Sequence, residues 1–189
     1  MLVAVSPGVR AEQARRTRAT IQEIALALFA ARGYDATSLQ DIADELGLTK
    51  AAVYYHFPSK LELLQSICEP VYEGVAAIIE RAAAQTTRPA RIDAVAEGFA
   101  ELTVSRRATI SVLAADPVMH GRMKAASQLL ELLDRLARVV YGSDPTPDQL
   151  FAVRSIAVLG DTISTLPALN DDGAREVVAR AVKRLLPRR

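Results

Sequence analysis

Residues 37–60 read TSLQDIADELGLTKAAVYYHFPSK, and this stretch decides the fold. Leu39, Ile42, Ala43 and Leu46 recur at helical spacing and give a short helix one apolar face. Thr37 with Gln40 fits a capping box, and so does Ser38 with Asp41. Gly47 follows the last apolar residue, where a left-handed C-terminal position favours glycine. Thr49 then caps a third helix reaching about Tyr55, and Phe57-Pro58-Ser59 breaks it. Two short helices joined by a tight glycine turn are the parts of a helix-turn-helix. The second helix of such a motif keeps one face in a core and offers the other to a DNA major groove.

Stepping about 100° per residue sets Val53, Phe57 and Thr49 toward the core. Lys50, Ala51, Tyr54 and Tyr55 are assigned to the other side. That side carries a cation, two phenols and a small residue. Lysine donates to guanine O6 and N7 or to phosphate. Tyrosine stacks, bonds phosphate or touches a thymine methyl. Two exposed tyrosines on so short a helix call for something to cover them.

Working outward, residues 1–10 read as a flexible tail. A first helix is predicted from Ala11 to Arg32, with Ile21, Ile24, Ala25, Leu28 and Phe29 as its apolar stripe and Gly33 as its stop. A fourth helix starts near Ser59-Lys60 and runs to about Gln85. Pro70 lies inside it and predicts a kink or a division. Helices follow at 90–106 and 108–115, then from Asp116-Pro117 to Tyr141, closed by Gly142. Pro147 suits the first turn of a helix reaching Thr165. After a loop at 167–170, Asp171 or Asp172 caps a last helix to Leu186. The sum is an all-α chain of about nine helices with three parts: a tail (1–10), a helix-turn-helix domain (11–58) and a larger helical domain (59–189).

Composition agrees. Half of the 189 residues are hydrophobic, which suits a packed core, and Trp is absent. Net charge is only +1, so nucleic-acid binding has to come from local charge. Arg10, Arg15, Arg16 and Arg18 stand against Glu12 alone, while Lys183, Arg184, Arg188 and Arg189 make the far end basic. Residues 37–60 hold Lys50 and Lys60 against Asp41, Asp44 and Glu45. The motif itself is therefore slightly acidic, and salt-dependent affinity is expected from the Arg15–Arg18 arm and Lys60. Cys68 is the sole cysteine, excluding an intrachain disulfide. It reads as a buried structural thiol, and its context suits a reducing cytoplasm. The opening residues are too short an apolar run for a signal peptide, and no run of eighteen apolar residues predicts a membrane span.

The run LGLTKAAVYYHFPSK, followed by Leu61, Leu63 and Leu64, resembles the TetR (tetracycline-repressor) family signature. The preceding ALALFAARGYDATSLQDIA is similar to that family's first two helices. The likeness covers about residues 15–65; beyond 70 it is one of length and helical order only. It implies a small DNA-binding domain and a larger domain that binds a small-molecule effector and forms a homodimer. It further implies that Lys50, Ala51, Ala52 and Tyr54 face bases in a double-stranded DNA operator. Tyr55, Lys60, Thr37 and Ser38 would hold phosphates, and Gln40 would reach a base unless a capping box engages it. His56 matches a backbone-contact position that the helical wheel turns away from DNA. Arg15, Arg16 and Arg18 would follow the minor groove or the phosphates.

The remaining readings concern the larger domain. Phe99, Met119, Met123 and Leu129 line either an effector pocket or the plain core, because both are apolar. His120 is a donor to a polar ligand group or a surface residue. Helix 147–165 is apolar on more than one side, with one stripe at Ala152, Ile156, Leu159 and Ile163 and another at Leu150, Val153, Ala157 and Gly160. With Val178, Val182 and Leu185 of the last helix, Val153, Ala157 and Gly160 are expected to form a two-fold dimer interface. No nucleophile–base pair, phosphate loop, dinucleotide fingerprint or metal-ligand cluster appears, so an enzyme is not expected and no cofactor is implied. The expected function is ligand-released repression from a pseudo-palindromic operator. The alternative is a DNA-binding regulator without an inducer, and the sequence leaves the sign of regulation open.

Overall fold

The structure, a computed structural model, describes residues 7–115, 124–165 and 169–186. Nine α-helices lie among the described residues: α1 (Pro7–Arg32), α2 (Leu39–Glu45), α3 (Lys50–His56), α4 (Lys60–Ala83), α5 (Arg88–Ser105), α6 (Arg107–Ala115), α7 (Lys124–Tyr141), α8 (Pro147–Thr165) and α9 (Asp171–Leu185). The described residues contain no strand. The chain divides into two compact units, the first ending at Ile67 and the second beginning at Cys68. The sequence puts this division at 58–59. It falls later because Leu63, Leu64 and Ile67, in the opening turns of α4, are buried and belong to the first unit.

The first unit is built on α1. Ile21, Ala25, Leu28 and Phe29 are buried at helical spacing, as the sequence predicts. The helix starts earlier than expected, at Pro7, so residues 7–10 are helical rather than a tail. Proline's fixed φ suits a first turn. The extra length carries no apolar stripe for periodicity to detect. Arg15 and Arg16 instead share Glu12 at 3.1 Å each, one turn away. In α2 the caps are complete. The Ser38 hydroxyl accepts from Asp41 N, and the Asp41 carboxylate accepts from Ser38 N at 2.7 Å. That makes Ser38–Asp41 the capping box and releases Gln40 from it. At the other end Gly47, at φ 63°, donates to Asp44 O while Leu48 donates to Ala43 O. These paired bonds close the helix in a Schellman turn. Gly33 and Gly142 also have positive φ, as predicted.

Helix α4 passes through Pro70 without dividing. Proline has no N–H, so the Ser66 carbonyl one turn earlier loses its helical donor. Gln22 of α1 supplies one instead. Its amide donates to Ser66 O at 3.2 Å and to Ser66 Oγ at 2.9 Å, while Ser66 Oγ donates to Leu63 O. The cost of the proline is met by a side chain from a different helix.

In the second unit α9 lies along α5, and α8 contacts α6, α7 and α9. Their shared core includes Ile78, Ile92, Val95, Phe99, Leu133, Leu136, Val153, Ile156, Val178 and Val182. The last helix is capped by Asn170, whose Oδ1 accepts from Gly173 N at 2.8 Å. This corrects the expectation of Asp171 or Asp172, which occupy the first turn, where carboxylates favour the positive end of the helix dipole. Cys68 is buried, and burial pushes its thiol up to about 12. It stays protonated at neutral pH, consistent with a structural thiol. No helix among the described residues is long and apolar enough to cross a membrane.

The Gln22–Ser66 arrangement predicts a specific non-additivity. Gln22→Ala should cost about 1–2 kcal/mol of stability by leaving a part-buried carbonyl unpaired. In a Pro70→Ala background, where residue 70 supplies an N–H, most of that loss should vanish. Equal losses in the two backgrounds, measured by urea unfolding, would contradict this account.

Candidate nucleic-acid interface

Helix α3 is only seven residues long, and its position comes from outside itself. Thr49 caps it, accepting from Ala52 N at 3.2 Å. Val53 and Phe57 are fully buried and hold one side in the first unit's core. Helix α2 packs against α3 through the Gly47 turn and against α1. The opposite side is open: Tyr55 is 82% exposed, Tyr54 43%, and Ala51 is exposed. A small residue between two protruding phenols allows a groove wall to approach closely.

The structure refines the helical wheel at two positions. At about 100° per residue, Lys50 lies only about 60° from Val53 and so occupies the flank, not the opposite side. It is exposed, and its ammonium stands 5.6 Å from the Tyr54 ring centroid, a cation–π contact that aims it along the open face. Ala52, on the other flank, is half-buried.

The remaining candidates separate into those left open and those engaged within the unit. Thr37 is buried, and its hydroxyl donates to Gly33 O at 2.9 Å, so it is not available to a phosphate. Ser38 is exposed at the N-terminus of α2 but is the capping residue. Gln40 is exposed and donates to Asp44 Oδ1 at 2.6 Å. That side-chain bond between exposed groups exchanges with solvent at little cost. His56 is half-buried, its ring edge-on to Tyr55 and its carbonyl occupied.

Two cations expected on phosphate bond to carbonyls of the same unit, Lys60 half-buried and Arg18 exposed. Arg18 Nη1 donates to the His56 carbonyl at 2.6 Å, with its guanidinium 4.0 Å above the Phe57 ring. Lys60 Nζ donates to Tyr34 O and Thr37 O, both at 2.7 Å, and lies 4.2 Å from the Tyr34 ring. Burial draws the Lys60 ammonium below its ordinary range, while Asp35 and Asp41 oppose that shift. Arg15, Arg16 and Arg18 lie within α1, as a first helix starting at Ala11 implies. Arg15 and Arg16 remain outward, their side chains 75% and 79% exposed.

Sequence reasoning missed the internal roles of Arg18 and Lys60, because carbonyl acceptors leave no residue-type signal. It also put three core valines among the residues expected at a dimer interface. Val153, Val178 and Val182 are buried in the protomer's own core, and Ala157 and Leu185 pack against it. Gly160 lies on α8, where its surroundings fall outside the described residues. Among the described residues, the large apolar side chains that α8 leaves exposed are Phe151 at 74% and Val158 at 63%. Their seven-residue spacing puts them on one face, which was the signal available. Of the effector-pocket candidates, Phe99 is in the core and Leu129 packs on it. Met119, His120 and Met123 lie outside the described residues. No group of three or more His, Cys, Asp or Glu that could hold a metal occurs among the described residues.

Comparison with known proteins bears on this geometry. Residues 21–67 match the family model described as bacterial regulatory proteins, tetR family. Over 62 residues the chain is 44% identical to the HTH-type transcriptional regulator TtgR of Pseudomonas putida, covering 33% of this chain and 30% of that protein. It is 40% identical over 57 residues to the HTH-type transcriptional repressor KstR2 of Mycobacterium tuberculosis, covering 30% of this chain and 28% of that one. The matched stretch thus spans less than a third of the length of these relatives. Among solved structures, the TetR family transcriptional regulator PfmR from Thermus thermophilus superposes with a TM-score of 0.68 at 26% identity, covering 88% of this chain and 93% of that one.

The cap of α2 yields a titration test. The Ser38 hydroxyl and then the Ser38 N–H hold the Asp41 carboxyl below its ordinary value. A depressed carboxylate pKa stabilises the fold above the unfolded value of about 3.9 and loses that contribution as pH falls through the folded value. The Asp41 carboxyl should therefore titrate by NMR below the value of an unstructured aspartate, and Ser38→Ala should move the midpoint back up. An unchanged midpoint in Ser38→Ala would show that the box does not hold the carboxylate.

Proposed function

Because residues 21–67 are a TetR-family helix-turn-helix domain, carried on a chain with the helical fold of that family's regulators, we propose that this protein is a DNA-binding transcription regulator of the repressor type. It is read as a regulator, not as an enzyme. The observation that carries the reading is the two-sided α3. One side is anchored by Val53 and Phe57, and the other presents Ala51, Tyr54 and Tyr55 with Lys50 at its edge. Lys50 and Tyr54 read base edges, Ala51 and Ala52 allow close approach, and Tyr55 reaches a phosphate. Gln40 turns from Asp44 to a base. Ser38, at the start of α2, lies beside the phosphates with its backbone end. Arg15 and Arg16 supply the sequence-independent charge.

A second copy of the chain completes the reader. Phe151 and Val158 form an outward apolar pair on α8, with Ser155 between them, and two-fold pairing of that face covers both. Two recognition helices then meet successive major grooves about 34–36 Å apart on a pseudo-palindromic operator. The second unit binds a small-molecule effector that releases the operator; coupling of about 1–3 kcal/mol gives a 5–150-fold change in affinity. Its bulk supports this reading, since DNA contact uses only the first unit. The setting is the cytoplasm, where the operator is.

Selection from a random double-stranded DNA pool tests the reading. It should return a two-fold symmetric site with half-sites one helical turn apart, and Lys50→Ala or Tyr54→Ala should weaken binding and relax specificity at defined positions, each by about 1–3 kcal/mol. Recovery of no preferred sequence would sink it.

The dimer has its own check. Phe151→Glu with Val158→Glu should give a folded monomer by sedimentation, because exposed positions change monomer stability by only about 0.5 kcal/mol. A dimer that survives both substitutions would place the interface elsewhere.

A further inference from the structure

Two of the cations nearest α3 are tied to backbone carbonyls of the same unit, Lys60 half-buried and Arg18 on the exposed surface. Arg18 reaches from α1 to the last carbonyl of α3 and covers Phe57, the residue that ends that helix. Lys60 reaches from the first residue of α4 to the turn between α1 and α2, where it donates to three carbonyls: Tyr34 O, Thr37 O and, at 3.4 Å, Asp35 O. An ammonium has three N–H donors, so these bonds use its full capacity. Each cation thus ties a different helix to one end of the α2–α3 pair, through charge-assisted bonds about twice as strong as neutral ones.

We propose that Arg18 and Lys60 are positioning residues, a clamp on backbone carbonyls that fixes where α3 stands, and that neither neutralises a phosphate. The inference rests on the DNA-binding reading above and deepens it. Arg18 satisfies a C-terminal carbonyl that has no helical donor and sits at the negative end of the α3 dipole. Lys60 holds the turn from which Ser38 caps α2, and α2 carries α3 through the Gly47 turn. Losing either tie frees α3 to shift by a fraction of an ångström. Base readout depends on that register, whereas phosphate attraction does not.

The test compares Lys60→Met and Arg18→Met with the unmodified chain and with Arg15→Ala/Arg16→Ala. Binding is measured on the selected operator and on random-sequence duplex across a salt series, at a temperature where circular dichroism shows every variant folded. The clamp variants should bind the operator about tenfold more weakly, the equivalent of about 1.4 kcal/mol. Their random-duplex affinity and the slope of log affinity against log salt should stay unchanged. The arginine pair variant should lower the slope by about 0.9 for each phosphate that is no longer neutralised. A slope drop of that size in Lys60→Met or Arg18→Met would overturn the clamp. So would an equal loss on operator and random duplex, which a merely reduced folded fraction produces.

If Lys60→Met does not fold, the unmodified chain still decides. In the free protein the Lys60 ammonium should give a slowly exchanging 15N–1H signal, whereas Lys50 should give none. Fast exchange at Lys60 would refute its engagement. Failure of the unmodified chain to bind any duplex would defeat the DNA-binding reading itself, an outcome distinct from either result on the clamp.

Discussion

A helix of seven residues does not hold its shape in water unaided. Nucleating the first turn costs more than two turns of hydrogen bonds return, and isolated helices are marginal below about 12–15 residues. Both α2 and α3 are that short. The first unit is arranged around this constraint. Burying Val53 and Phe57 contributes about 1.5–3 kcal/mol each, against about 1 kcal/mol for a cap such as Thr49. Burial therefore sets the position of α3, and the cap sets where it starts. With Val53 and the flanking Phe57 committed to the core, only the remaining face of the helix is left to meet anything outside.

The same constraint explains why long side chains end on backbone carbonyls. A chain that reverses direction twice within about twenty residues exposes carbonyls that no helix satisfies, and buried ones need donors. Arg18, Lys60 and Gln22 are long enough to reach across from neighbouring helices, and all three end on carbonyl oxygens. A cation beside such a turn therefore has carbonyl acceptors within its own unit. Its stem also has aromatic surface to cover, as Arg18 has Phe57 and Lys60 has Tyr34.

What was legible in the sequence follows from this physics. Periodicity reports burial on one face, so the α1 stripe, the α2 and α3 faces and the all-helical class were readable. Glycine stops and the Thr49 cap were readable because φ and side-chain oxygen chemistry are local properties. The true start of α1 was not, because a helix turn that is polar all round carries no stripe. The cap of α9 was misread because Asn170, Asp171 and Asp172 all have suitable oxygens, and only geometry chooses among them. The carbonyl bonds of Lys60 and Arg18 were not legible because residue type shows the donor and hides the acceptor. The outward side of α3 was legible for the converse reason: two tyrosines, a lysine and an alanine in one stretch are not what a buried face contains.

Helix α8 is apolar on more than one side. A helix apolar on several sides does not reveal which stripe meets the protomer and which a partner, and periodicity alone puts Val153 on the partner side. Packing reverses that, since α8 is gripped by α6, α7 and α9, and Val153 and Ile156 disappear into the resulting core. Phe151 and Val158 are what remains. A phenylalanine left outward on a helix already held by three neighbours gains nothing for its own fold, because its surface stays in water. A face that repeats at seven residues and carries a small serine between its two large side chains has the shape that the proposed two-fold pairing requires.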